Sequence, residues 1–269
     1  MTVPQPNSAL ETVLARLVSS RSKEAYRQSW ARWSVVEVEP PANWTRASVQ
    51  AAVQKLAAKY KPASIRLTFE VARRVWSVAM GTRTGSPFEE VEVPSMRGNV
   101  PEWNVLHPGE LAQLEKVLKA HPLDRLIVLA LTMQGWRVSE LCTLKWSDLT
   151  VDASGDTIAS FIGKGGKPAR QMVQPEVLKA AKTWAGPAGK GAFVLGGFSR
   201  FDVHYIVTKW TKKVLGRRVT PHGLRATYIS GVIARKGIEA ARQLARHSDI
   251  KTTQRYSRWA VVKDDVLKF

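Results

Sequence analysis

Cysteine is nearly absent from this chain. The single one, Cys142, excludes an internal disulfide and any zinc site built from several thiolates. Long apolar runs are missing as well. The longest largely apolar stretch, Leu126 to Met133, is far short of the roughly 20 residues that span a bilayer. The first residues, MTVPQPNSALETVL, hold no basic region followed by an apolar one, so no secretory signal and no membrane partner are expected. A cytoplasmic protein is therefore the expectation, nucleoid-associated if the host is prokaryotic. No clustered set of carboxylates suggests a metal-dependent nuclease, and the absence of GxxxxGK[ST] excludes a Walker phosphate loop. No internal repeat or low-complexity tract is visible.

Acidic residues are also scarce relative to basic ones. The 269 residues carry 41 Lys+Arg against 22 Asp+Glu, a formal net charge of +19. Such an excess points to a polyanion, nucleic acid first, because each phosphate contacted releases counterions. The blander alternative is a basic protein with no polyanion partner. Both parts of the chain share the excess: residues 1–100 hold 14 Lys+Arg against 8 Asp+Glu, and residues 101–269 hold 27 against 14.

The length suits two modest domains. Residues 1–8 are polar and expected to be disordered. Leu10, Val13, Leu14 and Leu17 recur at helical spacing. Ser22 reads as the start of a second helix, with Tyr26, Trp30 and Trp33 on one side. The simplest reading of that stripe is core packing, while Arg21, Lys23, Arg27 and Arg32 form either a solvated face or a phosphate-facing one. Thr45 caps a third helix and Ser64 opens a fourth, giving a small helical domain over residues 1–82. Residues 83–106 hold Gly85, Pro87, Pro94, Gly98 and Pro101 without a helical period, the composition of an interdomain linker.

The second domain, residues 107–269, opens with a helix at His107-Pro108. A buried helix comes next over Leu123 to Met133, and then a Gly turn carries Arg137. Ser139 reads as the cap of the next helix. An arginine beside buried positions needs an anion, and Glu140, Asp148 and a bound phosphate all qualify. Thr157–Ile162 and Gln171–Val173 read as a hairpin across Gly163-Lys164-Gly165-Gly166-Lys167. A helix over Asp202–Val214 leads to the most informative stretch, TPHGLRATYISGVIARKGIEAARQLARHSDIKTTQRYSR, residues 220–258. Thr220-Pro221 is a helix start, and it places His222 and Arg225 on one face at i, i+3. A further helix is expected from about Ile238 to Ala245, with His247 just past its end and Tyr256 nine residues later. Two imidazoles, a guanidinium and a phenol suit a phosphate: arginine forks onto two oxygens, histidine donates to others, and the phenol can attack phosphorus.

The order of parts is specific. Arg137 lies in GWRVSEL, Lys164 in IGKGGK, His222 and Arg225 in HGLR, His247 in ARHSD and Tyr256 in TTQRYSR. This arrangement resembles the tyrosine recombinase family, also called phage integrases, with the catalytic match over Leu111 to Trp259. Two positions depart from it: Arg246 stands where the family usually has glycine before the histidine, and Trp136 is bulkier than the usual residue. The resemblance implies a mainly α fold. A helical core-binding domain would be joined to an α+β catalytic domain with a small antiparallel sheet. It implies that Tyr256 attacks a DNA phosphodiester to form a 3′-phosphotyrosyl link, with Arg137, Arg225 and His247 on the non-bridging oxygens. His222 would assist proton transfer, and Lys164 would act as general acid, with Lys167 as the alternative. It further implies no metal, nucleotide or other cofactor, and double-stranded DNA at a specific site as partner. A homo-tetramer on paired sites and accessory DNA-bending proteins complete the expected assembly. A type IB topoisomerase and a catalytically inactive DNA-binding regulator are the competing readings.

Overall fold

Proline stands in the first turn of many helices of this protein, where its missing N–H leaves no bond unmade. The computed structural model describes residues 6–95, 105–162, 168–186 and 191–257. The chain divides into two compact units, residues 1–100 and 101–269.

In the first unit the described helices are α1 (Pro6–Ala15), α2 (Ser20–Val36), α3 (Arg46–Ala57) and α4 (Pro62–Met80). Local chemistry sets their starts. Thr45 caps α3 in a reciprocal box with Ser48. Ser19, immediately before α2, accepts from the Ser22 backbone, so Ser22 lies inside the helix instead of opening it. Pro62, two residues before the expected start at Ser64, is the first residue of α4. The core is aromatic. The Trp33 ring is fully buried, 5.6 Å from Trp44 and 5.7 Å from Phe88. Such pairs contribute about 0.5–1.5 kcal/mol each beyond their burial. The Trp44 and Trp76 indoles donate to the carbonyls of Glu39 and Pro41, so their polar edges stay satisfied.

The expected linker over 83–106 is narrower where it is described. Phe88 is buried among the tryptophans, Gln50 exchanges hydrogen bonds with the Glu92 backbone, and Arg66 donates to the Pro94 carbonyl. A phenyl ring within a Pro/Gly-rich segment pulls that segment onto the nearest apolar core. Residues 96–104 lie outside the described ones.

In the second unit the order is α5 (Pro108–Leu118), α6 (Pro122–Thr132), α7 (Val138–Thr143), β1 (Leu149–Val151), β2 (Thr157–Ile162), β3 (Pro168–Met172), α8 (Pro175–Ala185), α9 (Arg200–Leu215), α10 (Pro221–Leu244) and α11 (Ile250–Gln254). Every residue of α6 from Leu126 to Thr132 is buried, and the helix packs on α8, α9 and α10. The sheet is antiparallel with order β1-β2-β3. β2 pairs with β3 from Ile158↔Met172 to Ile162↔Pro168, so β3 begins three residues before its sequence reading. β1 has no counterpart in the sequence reading. At three residues with mixed burial it carries no legible alternation. The connection 163–167 lies outside the described residues. The outcome is a mainly helical protein with a small three-stranded antiparallel sheet.

Candidate active site

Helix α10 begins as the sequence predicts. The Thr220 hydroxyl accepts from the Gly223 N–H at 3.2 Å, and Pro221 holds the first turn. His222 and Arg225 therefore leave the first two turns on one face. Gly237, at φ 81° and ψ 171°, breaks α10 where the sequence reading places the end of one helix and the start of another. Beyond Leu244 the chain turns through Arg246, at φ 55°, and delivers His247. Asp249 then caps α11 by accepting from the Lys251 N–H. Thr252 lies inside that helix.

Arg225 is the central buried cation, 4% exposed. It donates through Nη1 to the Gly135 carbonyl and through Nη2 to the Ala245 carbonyl at 2.6 Å. Gly135 suits this place for two reasons. Its φ of 60° is left-handed, and a Cβ there would overlap the Tyr228 ring. Burial lowers the Arg225 pKa to about 10, with the neighbouring Arg137 adding to the shift, so the group stays charged at neutral pH. Among the described residues no carboxylate lies within ion-pair distance of it. A buried charge without a counter-ion is costly unless an anion is meant to arrive.

His247 lies beside it, with Nε2 3.3 Å from Arg225 Nη2 and Nδ1 3.0 Å from Thr253 Oγ1. A guanidinium N–H can only donate, so Nε2 accepts and the ring proton sits on Nδ1. Burial, then Arg225 and Arg137, lower the His247 pKa to about 4. Tyr256, 2% exposed, stacks its ring 5.9 Å from that of His247, and its Oη lies 3.4 Å from His222 Nε2. Burial raises the Tyr256 pKa, and Arg225 and Arg137 pull part of it back. Burial and Arg225 lower that of His222. The phenol therefore holds its proton at neutral pH, beside an imidazole that is itself neutral there.

Arg137 caps its own helix. Its backbone N–H and its Nη1 both bind Glu140, each at 2.8 Å, and its Nη2 donates to the Arg246 carbonyl at 3.1 Å. Of the anions weighed for Arg137, Glu140 is the one in contact, while Asp148 instead accepts from the Lys145 N–H. Ser139 is not the cap. Burial tends to raise the Glu140 carboxyl, but Arg246 and Arg137 outweigh it and hold it below the usual carboxylate range.

These side chains share one cleft of about 990 Å³, lined by Arg137, His222, Arg225, Arg246, His247 and Tyr256, with Pro168 and Ala169 of β3 at its edge. The structure thus brings together five of the six residues singled out from the sequence. Lys164, and with it the alternative Lys167, lies outside the described residues. Sequence reading missed the part played by Arg246 and Gln171. Arg246 reaches Glu140, 106 positions away, and Gln171, 75 positions away, and no local spacing signals such pairs.

The buried neutral imidazole has a consequence for stability. An unfolded histidine takes up its proton near pH 6.5, whereas His247 in the folded chain resists until about pH 4. Its folded pKa is depressed, so the unfolded state binds more protons between those values and stability falls as pH drops through that window. Thermal unfolding is expected to show a melting temperature that declines from pH 6.5 to 4, with a shallower decline in His247→Gln. Equal slopes in the two proteins would remove His247 as the cause.

A model described as the phage integrase family matches residues 104–261. The tyrosine recombinase XerC of Xanthomonas campestris pv. campestris (strain B100) is 27% identical over 274 residues, covering 93% of this chain and 84% of XerC. Among solved structures, XerH recombinase in a post-cleavage complex with a palindromic difH substrate superposes with a TM-score of 0.76 at 15% identity, covering 96% of this chain and 83% of XerH. A lambda integrase tetramer bound to a Holliday junction gives a TM-score of 0.73 at 16% identity, covering 93% and 75% of the two chains. At such identities the two structures speak for the fold alone.

Proposed function

The chain belongs to the phage integrase family and is a tyrosine-type site-specific DNA recombinase, and from that premise we propose that Tyr256 is the residue that cuts and rejoins the DNA. The observation that carries this reading is the convergence of Arg137, His222, Arg225, His247 and Tyr256 on one cleft, with the phenol against His222. Tyr256 Oη attacks the scissile phosphorus as His222 Nε2 takes its proton. Arg137 and Arg225 hold the non-bridging oxygens while charge builds on the five-coordinate phosphorus. Phosphate in the cleft draws a proton onto His247 Nε2, which then donates to the same oxygens. Lys164 supplies the proton to the leaving 5′-oxygen. The products are a 3′-phosphotyrosyl link and a free 5′-hydroxyl. A 5′-hydroxyl from another strand reverses the step and restores a phosphodiester, so the bond energy is kept without nucleotide hydrolysis.

The net charge of +19 supports double-stranded DNA as substrate. The helical first unit is the core-binding domain of this reading, and the second unit is the catalytic one. Four strands must be cut to exchange two duplexes, so the working assembly is a homo-tetramer on paired sites, helped by accessory DNA-bending proteins. Lambda integrase, which shares the fold, is solved as such a tetramer on a Holliday junction. Among the described residues no helix is long and apolar enough to cross a membrane, in keeping with a cytoplasmic, DNA-associated protein.

Covalent capture from a pool of nicked random duplexes would select the target site, and two copies of it on one plasmid then test the activity. Deletion or inversion between the copies is the expected product. A plasmid that is only relaxed, with its sites in the parental arrangement, would place the chain with the type IB topoisomerases instead.

A further inference from the structure

We propose that Arg246 is a positioning residue for the cleavage step: its side chain fixes the turn whose two carbonyls aim Arg137 and Arg225 into the cleft. The inference rests on the reading of those two arginines as the holders of the phosphate. The turn after α10 is left-handed at this position, φ 55°, a conformation natural to glycine and disfavoured for a residue with a Cβ. An arginine held there must gain elsewhere. It does so through its guanidinium, which bonds Glu140 through Nη2 and Gln171 through Nη1, with Cζ 4.8 Å from the Phe161 ring centroid. Glu140 belongs to α7, Phe161 to β2 and Gln171 to β3. One side chain thus ties the turn to three elements.

The backbone fixed in this way is what touches the two arginines. The Ala245 carbonyl accepts from Arg225 Nη2 at 2.6 Å, and the Arg246 carbonyl accepts from Arg137 Nη2 at 3.1 Å. Glu140 is shared as well, Oε1 taking Arg137 and Oε2 taking Arg246. With glycine in place of Arg246, the buried carboxylate would draw on Arg137 alone, whose charge the phosphate requires. With arginine, two guanidinium groups share one carboxylate, and the cleft keeps one more positive charge.

The test is single-turnover cleavage of a nicked duplex at saturating protein, comparing wild type, Arg246→Gly and Arg246→Lys. Glycine accepts the left-handed turn without strain, so Arg246→Gly removes the side chain alone, and thermal melting checks that the variant folds. Each protein is also assayed on a duplex with a neutral methylphosphonate at the scissile position. That group carries no anionic oxygen, so it depends less on well-aimed guanidinium groups. Arg246→Gly is expected to slow cleavage of the phosphodiester by at least about tenfold and of the methylphosphonate by less than about threefold. Arg246→Lys, which keeps the charge but loses the fork, falls between and carries the same comparison if the glycine variant does not fold. An equal loss on both substrates would mean a general structural defect, and an unchanged phosphodiester rate would mean no role. Either result overturns the proposal. Failure of the wild type itself to form an adduct would instead overturn the recombinase reading.

Discussion

Replacing Tyr256 with phenylalanine is expected to abolish covalent capture of nicked DNA, a loss of at least about 10⁴-fold, while uncleaved DNA still binds within about threefold. The substitution is a clean one for this site. The aromatic ring keeps its place, 2% exposed and stacked 5.9 Å from His247. What disappears is Oη, with its 3.4 Å approach to His222 Nε2. A single such hydrogen bond contributes about 0.5–1.5 kcal/mol to stability, too little to unfold a domain. The chemistry, by contrast, loses its only attacking atom, and neither carbon nor hydrogen of the phenyl ring can substitute. Denaturing gel analysis of protein incubated with end-labelled nicked duplex reads the result directly. A Tyr256→Phe protein that still becomes attached to DNA would show that the nucleophile is elsewhere.

The second large effect is expected at Arg225. Arg225→Lys should slow single-turnover cleavage by about 10²–10³-fold, the usual consequence of losing one donor that stabilises transition-state charge. Lysine keeps a positive charge but presents it as a point, and it cannot reach the Gly135 and Ala245 carbonyls and a phosphate oxygen together. Arg225→Ala is a different experiment. It leaves those two carbonyls without their donor, at about 1–3 kcal/mol for each buried group, so it should lower the melting temperature as well as the rate. The contrast between the variants separates anion binding from scaffolding. If Arg225→Lys cuts at the wild-type rate, the missing carboxylate partner has some other meaning, and Arg225 is a structural cation only.

Much of this site can be read from residue order. The Thr220 cap and Pro221 place His222 and Arg225, and the stretch from His247 to Tyr256 is short enough for local helix geometry to keep both residues on one cleft. Thr45 and the burial of α6 are legible for the same reason: hydroxyl caps and apolar runs act over a few residues. What escapes is set by contacts distant in sequence. Phe88 looks like part of a linker until Trp33 and Trp44 are beside it. Strand β1 exists because β2 offers a partner edge, with no pattern of its own. The glycine turn at Arg137 reads as leading to a cap at Ser139. In the fold the arginine backbone takes that place, because Glu140 reaches back to its N–H. Arg246 is visible in the sequence only as a departure from the family pattern. Its partners Glu140 and Gln171 become neighbours when the sheet folds against the turn after α10.

The depth of Tyr256 matters again once the strand has been cut. A phosphotyrosyl bond formed at an oxygen this far from solvent meets few water molecules able to hydrolyse it. Hydrolysis would turn a reversible exchange into a permanent strand break. In the proposed reaction, the packing that makes the phenol hard to ionise would also protect the covalent link while a strand end waits for its new partner.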